Sequence, residues 1–133
     1  MRERVSIPHD PPATRGTVLL VDPDHGTRAE MADWLQGAGY ATLEAEAFDE
    51  GRHLLASRAP DVLVAGVRLG AFNGLHLVIT ARSARPDLRA VLTTSADDGA
   101  LAGEARQAGA VYLVKPLGRE AFLAAVVDGA GKA

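Results

Sequence analysis

The chain contains no cysteine, which excludes disulfides, thiolate nucleophiles and Cys-based metal sites. No apolar run approaches the ~20 residues that cross a bilayer. The charged start, Met1-Arg2-Glu3-Arg4, has no apolar stretch behind it and does not read as a signal peptide. A marked excess of charge of one sign is also lacking: the net charge is −3, which gives no argument for nucleic acid or an anionic membrane as partner. The histidines, at 9, 25, 53 and 76, form no H-x-x-x-H pair and approach no acidic set at ligand spacing. There is no G-x-S-x-G, no Walker A and no G-x-G-x-x-G, so no metal, cofactor or enzymatic activity is expected. A cytoplasmic location is expected, with neither nucleic acid nor membrane as partner.

Apolar strand-like runs are what the chain does have. Val62 to Gly66 holds no polar side chain. A strand solvated on one face alternates; an unbroken run of Val, Leu and Ala reads as a strand buried on both faces, as in the centre of a parallel sheet. Thr17 to Val21 is a second such run, ended by Asp22. Shorter runs follow at Tyr40 to Leu43, an expected edge because Glu44 and Glu46 come next, at Ala90 to Thr94, and at Val111 to Val114.

Helical patterns separate these runs. One is expected from about His25 to Gly37, capped by Asp24, with Arg28, Met31, Leu35 and Ala38 on one face and Gly39 as its stop. Phe48 to Ser57 is the next, with Leu54-Leu55 inward and Pro60 beyond it. A third runs from about Asn73 to Ala84, with Leu75, Val78 and Ile79 inward. A fourth starts at Asp97-Asp98, carboxylates that suit the positive end of a helix dipole, and stops at Gly109. A fifth spans about Gly118 to Asp128, with Phe122 and Val126 inward. Trp34 is expected to pack on the sheet or a neighbouring helix.

A strand followed by a helix thus recurs five times in units of about 20–25 residues, short enough for right-handed crossovers onto one parallel sheet. The predicted architecture is a three-layer, doubly wound α/β domain over 17–129. Residues 1–16, with Pro8, Pro11, Pro12 and Gly16, are expected to be an N-terminal tail, and 130–133 a C-terminal one.

In parallel sheets of this kind ligands sit just past the carboxyl ends of the strands. Asp22 with Pro23, Gly66, Thr94 with Ser95, and Lys115 with Pro116 are expected to meet there. With Leu19-Leu20-Val21-Asp22, Pro60-Asp61-Val62-Leu63-Val64, Asn73-Gly74-Leu75, Thr94-Ser95, Ala108-Gly109-Ala110 and Tyr112-Leu113-Val114-Lys115-Pro116, the chain from Thr17 to about Asp128 resembles the receiver domain of two-component response regulators.

The resemblance implies a flavodoxin-like (βα)5 fold with strand order 2-1-3-4-5. It also assigns roles. Receivers end strand one with two acidic residues that hold Mg²⁺; Asp22 matches the first, and Pro23 replaces the second. Receivers end strand three with the aspartate that takes the phosphoryl group; here that position is Gly66. The hydroxyl after strand four is matched by Thr94, and the lysine after strand five by Lys115, whose bond to the following proline is usually cis in this family. Tyr112 matches the strand-five aromatic that is a rotameric reporter in many receivers.

An acyl phosphate needs a carboxylate nucleophile, which glycine lacks. Mg²⁺ wants hard oxygen ligands. The expected outcome is an Asp22–Lys115 ion pair, with Thr94 bonded to it or to water, and no autophosphorylation. Asp24 is read as a helix cap in preference to a substitute phosphoacceptor. The functional reading is a degenerate receiver that signals by protein contact. The face of helix four, strand five and helix five, about Ala100 to Gly109, Tyr112 and the outer side of 118–129, would meet a histidine kinase, another regulator, an effector or a second copy. The alternative is a sensor of small anionic ligands in the vacated pocket, and a third is phosphotransfer at an unusual residue.

Overall fold

The computed structural model describes residues 15–69 and 72–128. Residues 1–14 of the expected N-terminal tail, residue 129 and the expected C-terminal tail lie outside them. Five parallel strands form the main sheet: β1 (Thr17–Val21), β2 (Ala41–Ala45), β3 (Val62–Gly66), β6 (Arg89–Thr94) and β7 (Ala110–Val114). Their order is β2-β1-β3-β6-β7, which is 2-1-3-4-5 when the main-sheet strands alone are counted. Five helices connect them: α1 (His25–Gly37), α2 (Phe48–Arg58), α3 (Gly74–Ala84), α4 (Gly99–Gln107) and α5 (Arg119–Asp128). None of these is long and apolar enough to cross a membrane.

The continuous apolar runs have the predicted cause. Every residue of β3 is buried, and Val18 to Val21 of β1 are fully covered. Successive side chains enter opposite layers. Leu19, Val21, Leu63, Ala65 and Leu92 join Phe48 of α2 and Leu77 and Val78 of α3 in one apolar body. Val18, Leu20, Val62, Val64 and Val91 join Met31 and Leu35 of α1 and Phe122 and Val126 of α5 in the other. Trp34 lies 5.8 Å, centroid to centroid, from Phe122, as helix-packing aromatics do. The edge strands β2 and β7 are only partly buried, and β2 is the edge expected from Glu44 and Glu46.

Several element ends follow local chemistry. The Asp24 side chain accepts from the Thr27 amide at 2.8 Å at the start of α1. Asp98 does the same for Ala100 and Leu101 at the start of α4, and Asn73 for His76 at the start of α3. Gly39, at φ 98°, turns the chain out of α1 in the left-handed region.

Three expectations are corrected. β2 runs to Ala45 because its register with β1 continues to the Val21–Ala45 pair, carrying Glu44 into the strand. Ile79 is 49% exposed, while Leu77 is fully buried; the apolar stripe of α3 is rotated by part of a turn. In α2, Leu54 and Leu55 are half-buried and pack inward against the apolar body as expected, beside the fully covered Phe48 and Gly51. The turn after β3 holds a small antiparallel ladder that was not expected, β4 (Arg68–Leu69) paired with β5 (Phe72–Asn73). Its two-residue strands are too short to leave a periodic signal.

Candidate functional site

β1, β3, β6 and β7 all run toward the same edge of the sheet, and their carboxyl ends bring the predicted residues together. Asp22, Pro23, Gly66, Thr94, Ser95 and Lys115 line one pocket of about 190 Å³. Asp22 is 2% exposed, and its Oδ2 accepts from Lys115 Nζ at 2.9 Å. Its Oδ1 accepts from the Asp24 amide at 2.8 Å. The predicted ion pair is therefore present, and both carboxylate oxygens are occupied. A buried carboxylate in this state is supported by a charge partner and by a backbone donor, which offset its loss of hydration.

Gly66 stands at the floor of the pocket. A Cβ there would lie 3.5 Å from Asp22 Oδ2 and 3.7 Å from the Val21 carbonyl oxygen, ordinary contact distances. The space a side chain needs is present. The position behind it is tighter. A Cβ on Gly74 would lie 2.1 Å from the Gly66 carbonyl oxygen, so the first residue of α3 must be glycine for the helix to seat on the end of β3.

Thr94 behaves differently from the expectation. Its Oγ1 donates to the Ala96 carbonyl and accepts from the Ala96 amide, each at 3.2 Å. The hydroxyl thus closes its own turn and does not bond the Asp22–Lys115 pair. Its backbone carbonyl accepts from the Lys115 amide at 2.7 Å, which ties the ends of β6 and β7 together. The Lys115–Pro116 bond is cis. Tyr112 is half-buried; its hydroxyl accepts from the Asp98 amide at 3.0 Å and reaches Asp97 Oδ1 at 3.3 Å. That places it against the β6–α4 turn. Asp24, the fully exposed cap, has its carboxyl held below the usual range by the Thr27 hydroxyl and then the Thr27 amide.

Two residues of the site went unpredicted as such. Arg28, read as part of the inward face of α1, is buried. Its Nη1 donates to the Asp22 carbonyl at 2.7 Å and its Nε to Glu44 at 3.0 Å, locking α1 to the ends of β1 and β2. Its spacing gave the face but not the partners. Thr93 is fully buried, lines the pocket, and its Oγ1 has no hydrogen-bond partner in the protein. A threonine within an apolar strand run was the available signal, since a buried hydroxyl wants a partner.

Comparison with known proteins gives a consistent result. The family model described as "Response regulator receiver domain" matches residues 18–127. The photosynthetic apparatus regulatory protein RegA of Rhodobacter capsulatus is 36% identical over 101 residues, covering 75% of this chain and 55% of RegA. The DNA-binding transcriptional regulator NtrC of Salmonella typhimurium is 36% identical over 103 residues, covering 77% of this chain and 22% of NtrC. The chain thus spans about half the length of RegA and less of NtrC. Among solved structures, a Burkholderia pseudomallei response regulator with a phosphorylated aspartic acid, calcium ion and citrate superimposes with a TM-score of 0.78 at 29% identity. That match covers 87% of this chain and 69% of the other.

Proposed function

Because this chain belongs to the response regulator receiver domain family, we propose that it is a receiver that signals through protein contact without taking a phosphoryl group. The observation that carries this is Gly66 at the end of β3, on the pocket floor beside Asp22 and Lys115. An aspartyl phosphate forms by attack of a carboxylate oxygen on phosphorus, and this position has no oxygen to offer. The divalent cation that family members use does not fit the donor set either. Pro23 has no side-chain donor, and both oxygens of Asp22 are engaged by Lys115 and the Asp24 amide. A hard cation wants several oxygens in near-octahedral array, with one or two carboxylates at least free to turn.

The partner is then a protein: a histidine kinase, another regulator, an effector or a second copy. Support for the α4–β7–α5 face comes from its exposed apolar groups, Val114 and Val127, and from the Tyr112 hydroxyl bonded into the β6–α4 turn. No nucleic-acid contact and no catalytic step is assigned to this domain. NtrC is named for DNA binding, but this chain spans only 22% of it.

The test is incubation with acetyl phosphate and Mg²⁺ followed by intact mass. No phosphoryl adduct is expected; a stable adduct on any Asp overturns the reading. Gly66→Asp with Pro23→Asp supplies the control. It should fold, bind Mg²⁺ and acquire the adduct, because the pocket accepts a Cβ at 66 without a clash.

The second reading, a small anionic ligand in the same pocket, has one observation in its favour. The buried Thr93 Oγ1 lacks a partner, and Gly66 leaves room beside it. Against it, Asp22 already neutralises Lys115. A thermal-shift screen of carboxylates and phosphates separates the readings, since a ligand raises the melting temperature by mass action.

A further inference from the structure

The strands set the residues of the strand-end pocket in a row. Leu20, Val64 and Val91 are register partners across β1, β3 and β6, and all three enter the apolar body shared with α1 and α5. Two residues further along, on the same face by alternation, stand Asp22, Gly66 and Thr93. Gly66 and Thr93 are themselves register partners, one strand spacing of about 4.8 Å apart. The row thus has a carboxylate on one side, a hydroxyl on the other and a gap between them. Lys115, just past β7, reaches into the same pocket.

The groups around the gap are short of acceptors. The Lys115 ammonium carries three donors, one of which goes to Asp22 Oδ2. Thr93 Oγ1 is buried without a hydrogen-bond partner. Arg68 lines the mouth, exposed, and has no carboxylate partner among the described residues. Both oxygens of Asp22 are engaged. Asp24, on the outer wall, turns its carboxylate to the Thr27 amide and hydroxyl. A small group that only accepts hydrogen bonds and carries negative charge would complete this set.

We propose that a protein partner supplies that group: one acidic side chain of the partner enters the gap over Gly66 and bonds Lys115 and Thr93, with Arg68 facing it at the mouth. The proposal rests on the reading that the chain signals by protein contact and takes no phosphoryl group, and it adds the chemistry that such a contact recognises. The size fits. The pocket measures about 190 Å³, and an aspartyl side chain is smaller than the benzene-sized group that about 150 Å³ accepts. The charge fits as well. Lys115 and Arg68 give two cations for two carboxylates, so the entering acid does not face Asp22 uncompensated. A group carried on a chain is favoured over a free ion by what lies next to the gap. The pocket shares Ser95 and Lys115 with a larger groove of about 510 Å³, walled in part by Pro116 and Leu117, which has room for the neighbours of the inserted residue.

Amide NMR titration of the full chain with two blocked peptides, acetyl-Gly-Asp-Gly-amide and acetyl-Gly-Asn-Gly-amide, tests this, with acetate and inorganic phosphate run beside them. The aspartyl peptide should shift the amides of Gly66, Thr93 and Lys115 saturably. The asparaginyl peptide should bind about tenfold more weakly, the difference that a charge-assisted bond makes. Gly66→Asp puts a carboxylate into the gap from within the chain and should abolish the response. Arg68→Gln, an exposed change, should weaken it about threefold. No saturable shift, an equal response to the asparaginyl peptide, or a response that survives Gly66→Asp overturns the proposal. So does tighter binding of acetate or phosphate than of the aspartyl peptide, which would make the occupant a free anion. A phosphoryl adduct on the parent chain is a separate failure: it would defeat the reading on which the proposal rests, whatever the peptides do.

Discussion

At the carboxyl edge of the sheet, the two sides of the pocket have fared differently. On the β6–β7 side three polar side chains are engaged. Thr94 closes its turn, Tyr112 holds the start of α4, and Lys115 reaches inward to a carboxylate. On the β1–β3 side the pocket is lined by Asp22, Pro23 and Gly66. Yet β1 and β3 are buried as deeply as β6 on the other side. The scaffold therefore does not rest on the chemistry at its edge. Burial of apolar runs fixes the strands, while the residue just past each strand is free to vary as long as no charge is stranded.

Lys115 provides the strongest way to break that contrast. Lys115→Met leaves Asp22 buried with no cationic partner, and breaking a buried pair from one side costs about 3–5 kcal/mol. Because the lysine side chain is 23% exposed, a loss nearer about 2–3 kcal/mol is expected in urea unfolding. The double variant Asp22→Asn with Lys115→Met should recover most of it. If the single variant is as stable as the parent, the two sides of the pocket are not electrically coupled.

Tyr112→Phe sharpens the comparison on the β6–β7 side. It removes the hydroxyl bonded to the Asp98 amide and Asp97, an expected loss of about 0.5–1 kcal/mol. Exchange at the first amides of α4 should rise while α1 is unaffected. An equal rise at both helices would argue that Tyr112 supports the whole edge.

The smallest effect lies on the β1 side. The Asp24 carboxyl is held below its ordinary pKa chiefly by the Thr27 hydroxyl. A lowered pKa in the folded state gives stability that is present above the ordinary carboxylate range and is lost as pH falls through the folded value. Acid titration of stability between about pH 5 and pH 2 should show this component, and Asp24→Asn, which keeps a capping oxygen, should lack it. An identical acid slope in the variant would assign the effect elsewhere.

Much of this was legible in the residues, for reasons of range. Uninterrupted apolar runs announce strands buried on both faces. Asp24 and Asp98 announce helix starts, and the pairing of Asp22 with Lys115 follows once a parallel sheet is granted. The misses are of a different kind. The Leu77–Ile79 exchange on α3 depends on a rotation that apolar spacing does not resolve when three aliphatics lie within one turn. The β4–β5 ladder is too short for periodicity. The partners of Arg28, Thr93 and Thr94 are set by tertiary contacts or their lack, which sequence spacing does not encode.

The sheet also acts as a partition. Side chains of β1, β3 and β6 alternate into two apolar bodies, one shared with α2 and α3 and the other with α1 and α5. Pressure applied to one helical layer reaches the other across the strands that divide them. Repacking changes made on opposite layers should accordingly combine as independent increments. An event at the α2–α3 surface would be screened from the α1–α5 layer, leaving two faces of one small domain able to serve separate partners.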